Sequence, residues 1–180
     1  MDMTRLLILI LLLSAALPLR AQETGFDEYQ IKAAFLYNFA KFVEWPAGTF
    51  PSPQEPIGIC IVGQSPFGLA LDDTVRGKKI GDRAFAVRSV PDTQQATRCQ
   101  IVFICASERK RTRALLDALR GAPVLTVGEI DDFTALGGII GFKLEGTRVR
   151  IQVAADVAEH TRLRISSKLL SLAEIVRRQP

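Results

Sequence analysis

Few residues in this sequence could carry out chemistry, and their spacing matches no common catalytic pattern. The chain has three cysteines and a single histidine, His160. The sequence contains no HExxH motif, CxxC pair or Cys/His cluster that would indicate a zinc site. The segment GQSPFG, residues 63–68, does not fit the G-x-S-x-G nucleophile elbow. We therefore predict that the protein is not an enzyme, with no catalytic residues, metal site or cofactor.

Adjacent aspartates occur twice, at Asp72-Asp73 and at Asp131-Asp132. Neighbouring side chains project in different directions, so neither pair is expected to act as a paired acid and base. Such pairs are more common at turns and helix starts. The segment EIDDF, residues 129–133, is interpreted as a helix N-terminus, where the helix dipole favours carboxylates.

The best candidate for contact with a small molecule is the loop VGQSPFG, residues 62–68. It follows an apolar strand and precedes a helix, so in an open parallel sheet it would lie at the carboxyl edge, where ligands tend to bind. Backbone N–H groups there could hold an anion. The candidate ligand or partner residues are Gly63, Gln64, Ser65, Phe67 and Gly68. The alternative interpretation is a Gly-Pro turn that only leads into the helix.

The elements that would position these residues alternate between strand and helix. Continuous apolar runs predict strands covered on both faces, as in a parallel sheet, and a later alternating segment predicts a hairpin. The predicted strands are residues 56–62, 83–90, 99–106 and 122–127, and the hairpin is residues 137–154. The predicted fold class is α/β, with an open, mostly parallel sheet flanked by helices and an antiparallel C-terminal hairpin on the edge.

A helix is predicted over the aromatic stretch that ends before Pro46, because its apolar residues fall on one arc at helical spacing. The arc comprises Ile31, Phe35, Leu36, Phe39, Ala40, Phe42 and Val43. Lys32 falls within the arc and is interpreted as reaching out to solvent from the first turn. Tyr37, Asn38 and Lys41 are candidate partner-facing positions, and plain core packing of the helix is the alternative.

The C-terminal segment ISSKLLSLAEIVRRQ, residues 165–179, predicts a closing helix. Ser166 or Ser167 would cap it. Its apolar seam would comprise Leu169, Leu172, Ala173 and Val176.

Residues 1–21 have the plan of a secretory signal peptide, with a basic start, an apolar run and a small-residue end at Ala21. The apolar run is shorter than the ~20 residues that span a membrane. We expect an exported protein, with residues 22–180 forming a single domain. The net charge is only +4, and no basic stripe is interleaved with aromatic residues, so nucleic acid is not an expected partner.

Export to an oxidising compartment predicts that two of the three cysteines form a disulfide. Cys99 and Cys105 would lie at opposite ends of one strand, about 20 Å apart at about 3.3 Å per residue, which is beyond the reach of a disulfide. Pairing of Cys60 with Cys99 would join two neighbouring strands, whereas Cys60 with Cys105 is the remaining possibility.

Six segments occur in the order seen in one family: AAFLYNFAKFVEWP, IGICIVGQSPFG, CQIVFI, LTVGE, GGIIGF and ISSKLLSLA. In these the chain resembles the YfiR-like periplasmic proteins, from about Tyr29 to Val176. The resemblance implies a periplasmic protein that binds the sensory domain of an inner-membrane diguanylate cyclase and inhibits it. Cyclic di-GMP signalling and biofilm formation would then be restrained. A periplasmic small-molecule-binding sensor module is the alternative function.

The resemblance also bears on the disulfide and on further partners. The family carries a bridge at the separation of Cys60 and Cys99, so this pair is the expected disulfide and Cys105 the free thiol. Some members have a second bridge nearer the hairpin, and this sequence lacks those cysteines. The further candidate partners are an outer-membrane or periplasmic lipoprotein that sequesters the regulator, and a second copy in a homodimer.

Overall fold

Most strands of the protein join in one mixed sheet whose central strands are parallel. The computed structural model describes residues 20–177, with side chains from residue 28 onward. The strands are β1 (Val43–Glu44), β2 (Ile57–Val62), β3 (Lys79–Ile80), β4 (Arg83–Val90), β5 (Ile101–Ile104), β6 (Leu125–Gly128), β7 (Ile140–Glu145), β8 (Arg148–Ala154), β9 (Arg164–Ile165) and β10 (Glu174–Val176). Eight of them form the sheet, in the order β10-β8-β7-β6-β5-β2-β4-β3, and β1 pairs with β9 separately.

Strands β4, β2, β5, β6 and β7 run parallel to one another. Strands β7 and β8 form an antiparallel hairpin. On the outer side of β8 lies the short strand β10, which pairs parallel to it. At the other side the two-residue β3 runs antiparallel to the start of β4. The predicted fold class, α/β with a mostly parallel sheet and a C-terminal hairpin, is confirmed.

The helices cover both faces of this sheet. They are α1 (Arg20–Phe42), α2 (Ala70–Val75), α3 (Thr93–Ala96), α4 (Thr112–Leu119), α5 (Ala155–His160) and α6 (Ser167–Leu170), with a 3-10 turn at Ala106–Glu108. No helix in the described part of the chain is long and apolar enough to cross a membrane.

Two apolar layers hold the helices to the sheet, because successive side chains of a strand point to opposite faces. On one face Phe39 of α1 packs on Phe142 at a ring separation of 6.0 Å, and Phe142 lies 6.3 Å from Phe103 of β5. On the other face Leu115 of α4 joins a buried cluster that contains Val102. The central strands are therefore covered on both sides, as their continuous apolar sequence predicts.

The first helix differs from its predicted pattern at two positions. Leu36, Phe39, Ala40 and Val43 of the apolar arc are buried, but Ile31 is 42% exposed. Lys32, expected to reach solvent, is buried instead. The arc is rotated toward Lys32 because its ammonium finds carboxylate partners inside the protein. The helix ends at Phe42, before the two-residue strand β1.

The predicted C-terminal helix is wrong beyond its first turn. Ser166 caps α6 by accepting a hydrogen bond from the N–H of Lys168, as expected, but α6 ends at Leu170. Residues 174–176 instead form β10, and Leu172 is 68% exposed. The β-branched pair Ile175-Val176 suits a strand, and pairing with β8 outweighs the helical spacing.

The predicted helix start in EIDDF is also wrong, because residues 131–137 form turns. Asp132 has φ +59°, which a helix does not allow. The turn folds Phe133 over the sheet edge, where this side chain is fully buried. A Cβ atom at Gly128 or Gly138 would come within 2.3 Å or 2.0 Å of its ring, so glycine is required at both positions.

The predicted signal peptide, residues 1–21, lies almost wholly outside the described residues, and the structure does not test it. The single domain predicted for residues 22–180 likewise stays a prediction.

Candidate functional site

A buried charged cluster lies at the carboxyl edge of the sheet, where two central parallel strands end. Glu129 directly follows β6, and Cys105 and Ala106 directly follow the neighbouring β5. Helix α1 crosses this edge and contributes Tyr29 and Lys32. Because ligands of open parallel sheets bind beyond the carboxyl ends of the strands, this is the position at which the fold favours a site.

Lys32 is the centre of the cluster. Its Nζ lies 2.6 Å from Glu129 Oε2 and 2.5 Å from Glu28 Oε1. The side chains of Lys32 and Glu129 are each only 6% exposed. The ammonium also lies 4.6 Å from the centre of the Tyr29 ring and 5.8 Å from that of Phe142. A buried charge is costly unless it is paired and hydrogen-bonded. The Lys32 ammonium is paired with two carboxylates and donates a hydrogen bond to that of Glu129.

Glu129 is held on both of its oxygens. The Tyr29 hydroxyl donates to Oε2 at 3.1 Å, beside the ammonium of Lys32. The backbone N–H of Ala106 donates to Oε1 at 3.3 Å. The cluster therefore connects the end of β5, the end of β6 and the first helix. It can fix their relative positions, and it offers a rigid charged floor to anything that binds above it.

A cleft of about 470 Å³ opens over this floor. Its volume lies within the ~300–1,000 Å³ range of ordinary ligand sites. The charged and polar side chains that line it are Glu28, Tyr29, Lys32, Glu129, Asp131, Asp132, Lys143 and Gln152. Carboxylates outnumber ammonium groups among them, so the cleft favours ligands that carry positive charge or several hydrogen-bond donors.

The short strand β10 braces the rim of the cleft through Glu174. This carboxylate accepts a hydrogen bond from Gln152 Nε2 at 2.9 Å and lies 3.8 Å from Lys143 Nζ. On the opposite rim, Arg109 Nη1 lies 3.5 Å from Asp131. These rim ion pairs are well exposed and contribute little to stability. They place both positive and negative charges at the entrance of the cleft.

Two weak acids beside Glu129 are held in their protonated forms. Burial, and then the nearby Glu129 and Glu108 carboxylates, raise the pKa of the Cys105 thiol to about 12. Burial and the same Glu129 raise the pKa of the Tyr29 phenol well above its usual range. A nucleophilic cysteine needs its thiolate, so Cys105 is placed as a small buried side chain.

The loop predicted to contact a ligand lies beside this cluster and only partly faces outward. Phe67 is buried, and its ring lies 5.6 Å from that of Tyr29. Gln64 donates its backbone N–H to Ser107 Oγ at 2.9 Å, so this donor is already used. Gly63 has φ +98°, and a Cβ there would come within 2.5 Å of the same Oγ. Gln64, Ser65 and Gly68 are exposed but do not line the cleft.

The predicted partner-facing residues of α1 lie at a different place, toward strand β4. Tyr37 is half-buried, with its ring 5.4 Å from that of Phe85. The ammonium groups of Lys41 and Lys78 lie 4.9 Å and 4.4 Å from the centre of the Tyr37 ring. Asn38 is half-buried as well. These residues are therefore not part of the cleft.

The disulfide joins Cys60 of β2 to Cys99, just before β5, with a Cα–Cα distance of 6.0 Å. Cys105 is free and buried. The expected pairing is confirmed. His160 ends α5 and lines a smaller, mainly apolar cavity of about 180 Å³ near the start of β6 and β7. Within residues 20–177 no group of three His, Cys, Asp or Glu side chains is arranged to hold a metal ion.

The residues that form the floor of the cleft were not predicted from the sequence. Two signals pointed to them: a lysine inside an apolar helical arc, and a glutamate directly after an apolar strand. A charged residue in an apolar pattern usually has a buried partner. Sequence spacing could not pair Lys32 with Glu129, because 97 positions separate them.

Comparisons with known proteins find a matching family model and similar solved structures. A family model described as YfiR/HmsC-like matches residues 29–174. Among solved structures, a conserved domain protein from Vibrio cholerae O1 biovar eltor str. N16961 is similar at 8% identity and a TM-score of 0.56, over 82% of this chain and 59% of that one. The ABC domain in complex with L-Trp from Streptococcus pneumonia matches at 7% identity and a TM-score of 0.49, over 66% and 55%. The chain thus spans less than two thirds of either structure.

Proposed function

This chain belongs to the YfiR/HmsC-like family, and on that basis we propose that it is a periplasmic regulator that binds the sensory domain of an inner-membrane diguanylate cyclase. In the bound state the cyclase is inactive, so cyclic di-GMP production and biofilm formation are restrained. The observation that carries the proposal is the family match over residues 29–174, which includes the sheet up to the first residue of β10 and the charged cluster apart from Glu28. The disulfide suits an oxidising compartment.

Inhibition requires the regulator to favour one state of the cyclase. A bound protein shifts a conformational equilibrium only by the difference between its affinities for the two states. The regulator therefore binds the inactive arrangement of the sensory domain more tightly than the active one. A rigid domain, with covered central strands and a disulfide between β2 and Cys99, loses little conformational entropy when it docks.

Calorimetry with the purified periplasmic domain of the cyclase from the same organism tests the proposal. We expect binding without any added ligand, and loss of cyclase activity when the regulator is added to the outer face of membranes that contain the full-length enzyme. The matched control is the isolated catalytic domain of that cyclase, whose activity should not change. Absence of a complex, or a complex that leaves activity unchanged, would contradict the proposal.

Small-molecule sensing is a second candidate function, favoured by the cleft over Lys32 and Glu129. A ligand that binds the native state raises the unfolding temperature by mass action. A screen of amines and amino acids by thermal shift is the measurement, with Asp131→Asn/Asp132→Asn as the variant expected to reduce any shift. A screen without shifts would remove this candidate and leave the regulatory proposal unaffected.

A further inference from the structure

Strand β4 has an open edge along most of its length. Residues Phe85–Val90 pair with β2 on one side. On the other side β3 pairs only with Arg83 and Ala84. Within residues 20–177 no strand covers the outer side of Phe85–Val90. Alternate residues of such an edge direct N–H and C=O groups outward, ready to pair with another strand.

A groove of about 440 Å³ runs beside this edge, between β4 and α2. Phe85 and Val87 are half-buried on its β4 side, and Leu69 on its α2 side is 73% exposed. Leu69 is the most exposed large apolar side chain among the described residues. Side chains on one face of an added strand would meet these apolar groups at every second position.

The charges around the groove are mainly positive. Arg76, Lys78 and Lys79 line it, against the single carboxylate of Asp72, and all four are exposed. Arg88 of β4 itself is also exposed. The groove therefore favours a partner that carries acidic side chains.

The aromatic end of the first helix continues the same surface. The Tyr37 ring packs on Phe85 and lies under the ammonium groups of Lys41 and Lys78. Cation–π contacts of this kind hold the two lysines near the groove. Apolar floor, free strand edge and basic rim are thus in one place.

We propose that the open edge of β4, residues 85–90, with its basic groove is where the cyclase's periplasmic domain docks, by adding an extended acidic segment to the sheet as a further strand. The inference rests on the proposed function and names the surface that serves it. Main-chain hydrogen bonds supply affinity in such strand addition, and side-chain pockets supply specificity.

The charges argue against a second copy of this chain as the occupant. Pairing two β4 edges would bring Arg88 and the lysines of one copy beside the same cations of the other. Like charges placed opposite each other across a strand pair are destabilising. Lysine on an edge is also a common protection against self-association. An acidic segment of another protein would instead place carboxylates beside these cations, so the repulsion would be absent.

The experiment measures binding of the cyclase's periplasmic domain to edge variants and to matched controls. Lys78→Glu/Lys79→Glu and Leu69→Asp should each weaken binding about tenfold or more, because they reverse the rim charge or place a carboxylate on the groove wall. The controls are Lys110→Glu and Leu172→Asp, exposed positions away from the groove, which should bind within about twofold of the native protein. Far-UV circular dichroism checks that each variant is folded.

Hydrogen exchange gives a second readout that charge alone would not move. In the complex the outward-facing amides of residues 85–90 should gain protection, since they become donors to the added strand. Normal binding by both edge variants, or unchanged exchange at β4, would overturn the docking surface while the regulatory function stands. No binding by the native protein would remove the function and this surface together. Protection of β4 without the cyclase, with dimers in sedimentation, would assign the edge to a second copy instead.

Discussion

At the scale of single residues, the pairing of Lys32 with Glu129 is the most unusual feature of the protein. Both side chains are almost fully buried, and each has a second charged or polar partner in Glu28 or Tyr29. Such pairs are not required for stability in general, because desolvation of two charges can equal their attraction. Loss of one partner is different, since it leaves the other charge buried and unpaired.

Lys32→Met should therefore lower the free energy of unfolding by about 3–5 kcal/mol, as expected when one partner of a buried pair is removed. Urea unfolding followed by circular dichroism is the measurement. The double variant Lys32→Met/Glu129→Gln should recover part of the loss, because the almost fully buried carboxylate is then gone and only Glu28, whose side chain is 22% exposed, lacks its ammonium partner. Lys110→Met, on an exposed lysine, is the control. Equal stability of Lys32→Met and the native protein would show that the pair contributes nothing.

At the scale of elements, the disulfide ties β2 to the start of β5 at the middle of the sheet. The bridge closes a sequence separation of 39 residues. In the chain-entropy model a loop of this length contributes about 4 kcal/mol. Most of that effect acts on the unfolded chain, which loses conformations when the two strands are linked.

Cys60→Ser/Cys99→Ser should lower the free energy of unfolding by about 2–5 kcal/mol. When the unmutated protein is denatured without reduction, thiol labelling should modify only Cys105. Cys105→Ser is the matched control, since it removes a buried sulfur without opening a bridge. Labelling of all three cysteines in the denatured, unreduced, unmutated protein would contradict the disulfide.

The central strands were predictable from sequence because a continuous apolar run reflects burial on both faces of the sheet. The hairpin was predictable because its apolar and polar residues alternate, which reflects burial on one face. The ends of the sheet were not. Residues 174–176 have helical spacing with the preceding leucines, yet their place is decided by β8, a partner that local pattern does not reveal. The charged cluster escaped prediction for the same reason, since it joins Lys32 to a glutamate far along the chain.

At the scale of the whole molecule, the two edges of the sheet differ in how their strands are paired. One edge is closed by β10, whose Glu174 braces the cleft. The other leaves residues 85–90 of β4 unpaired within the described chain. The two surfaces proposed above, the carboxyl-edge cleft for a small ligand and the β4 edge for a protein segment, are separate, so one domain could accept both at once. A ligand in the cleft would change docking at β4 only if it altered the arrangement of the strands between them.

Proton linkage gives a prediction that concerns the stability of the whole molecule. In the folded state the pKa of Cys105 is raised to about 12, and that of Tyr29 is raised as well, whereas the unfolded thiol and phenol titrate near ~8.5 and ~10. Between these limits the folded protein keeps a proton that the unfolded chain has released. Stability therefore falls as the pH rises from about 8.5, while below that pH the contribution is fully present.

Urea unfolding at roughly pH 7, 8, 9 and 10 measures this decline, because the two lower values lie below its onset and the two higher values above it. The slope assigned to one thiol approaches about 1.4 kcal/mol per pH unit once the unfolded thiol is ionised. For Cys105→Ala, the free energy of unfolding should fall less steeply with pH than for the native protein, by that amount. For Tyr29→Phe, the difference from the native protein should appear mainly at the highest pH, because the phenol titrates later. If Cys105→Ala kept the native slope, the thiol would have to ionise equally easily in both states. Its burial against Glu129 would then have no energetic consequence.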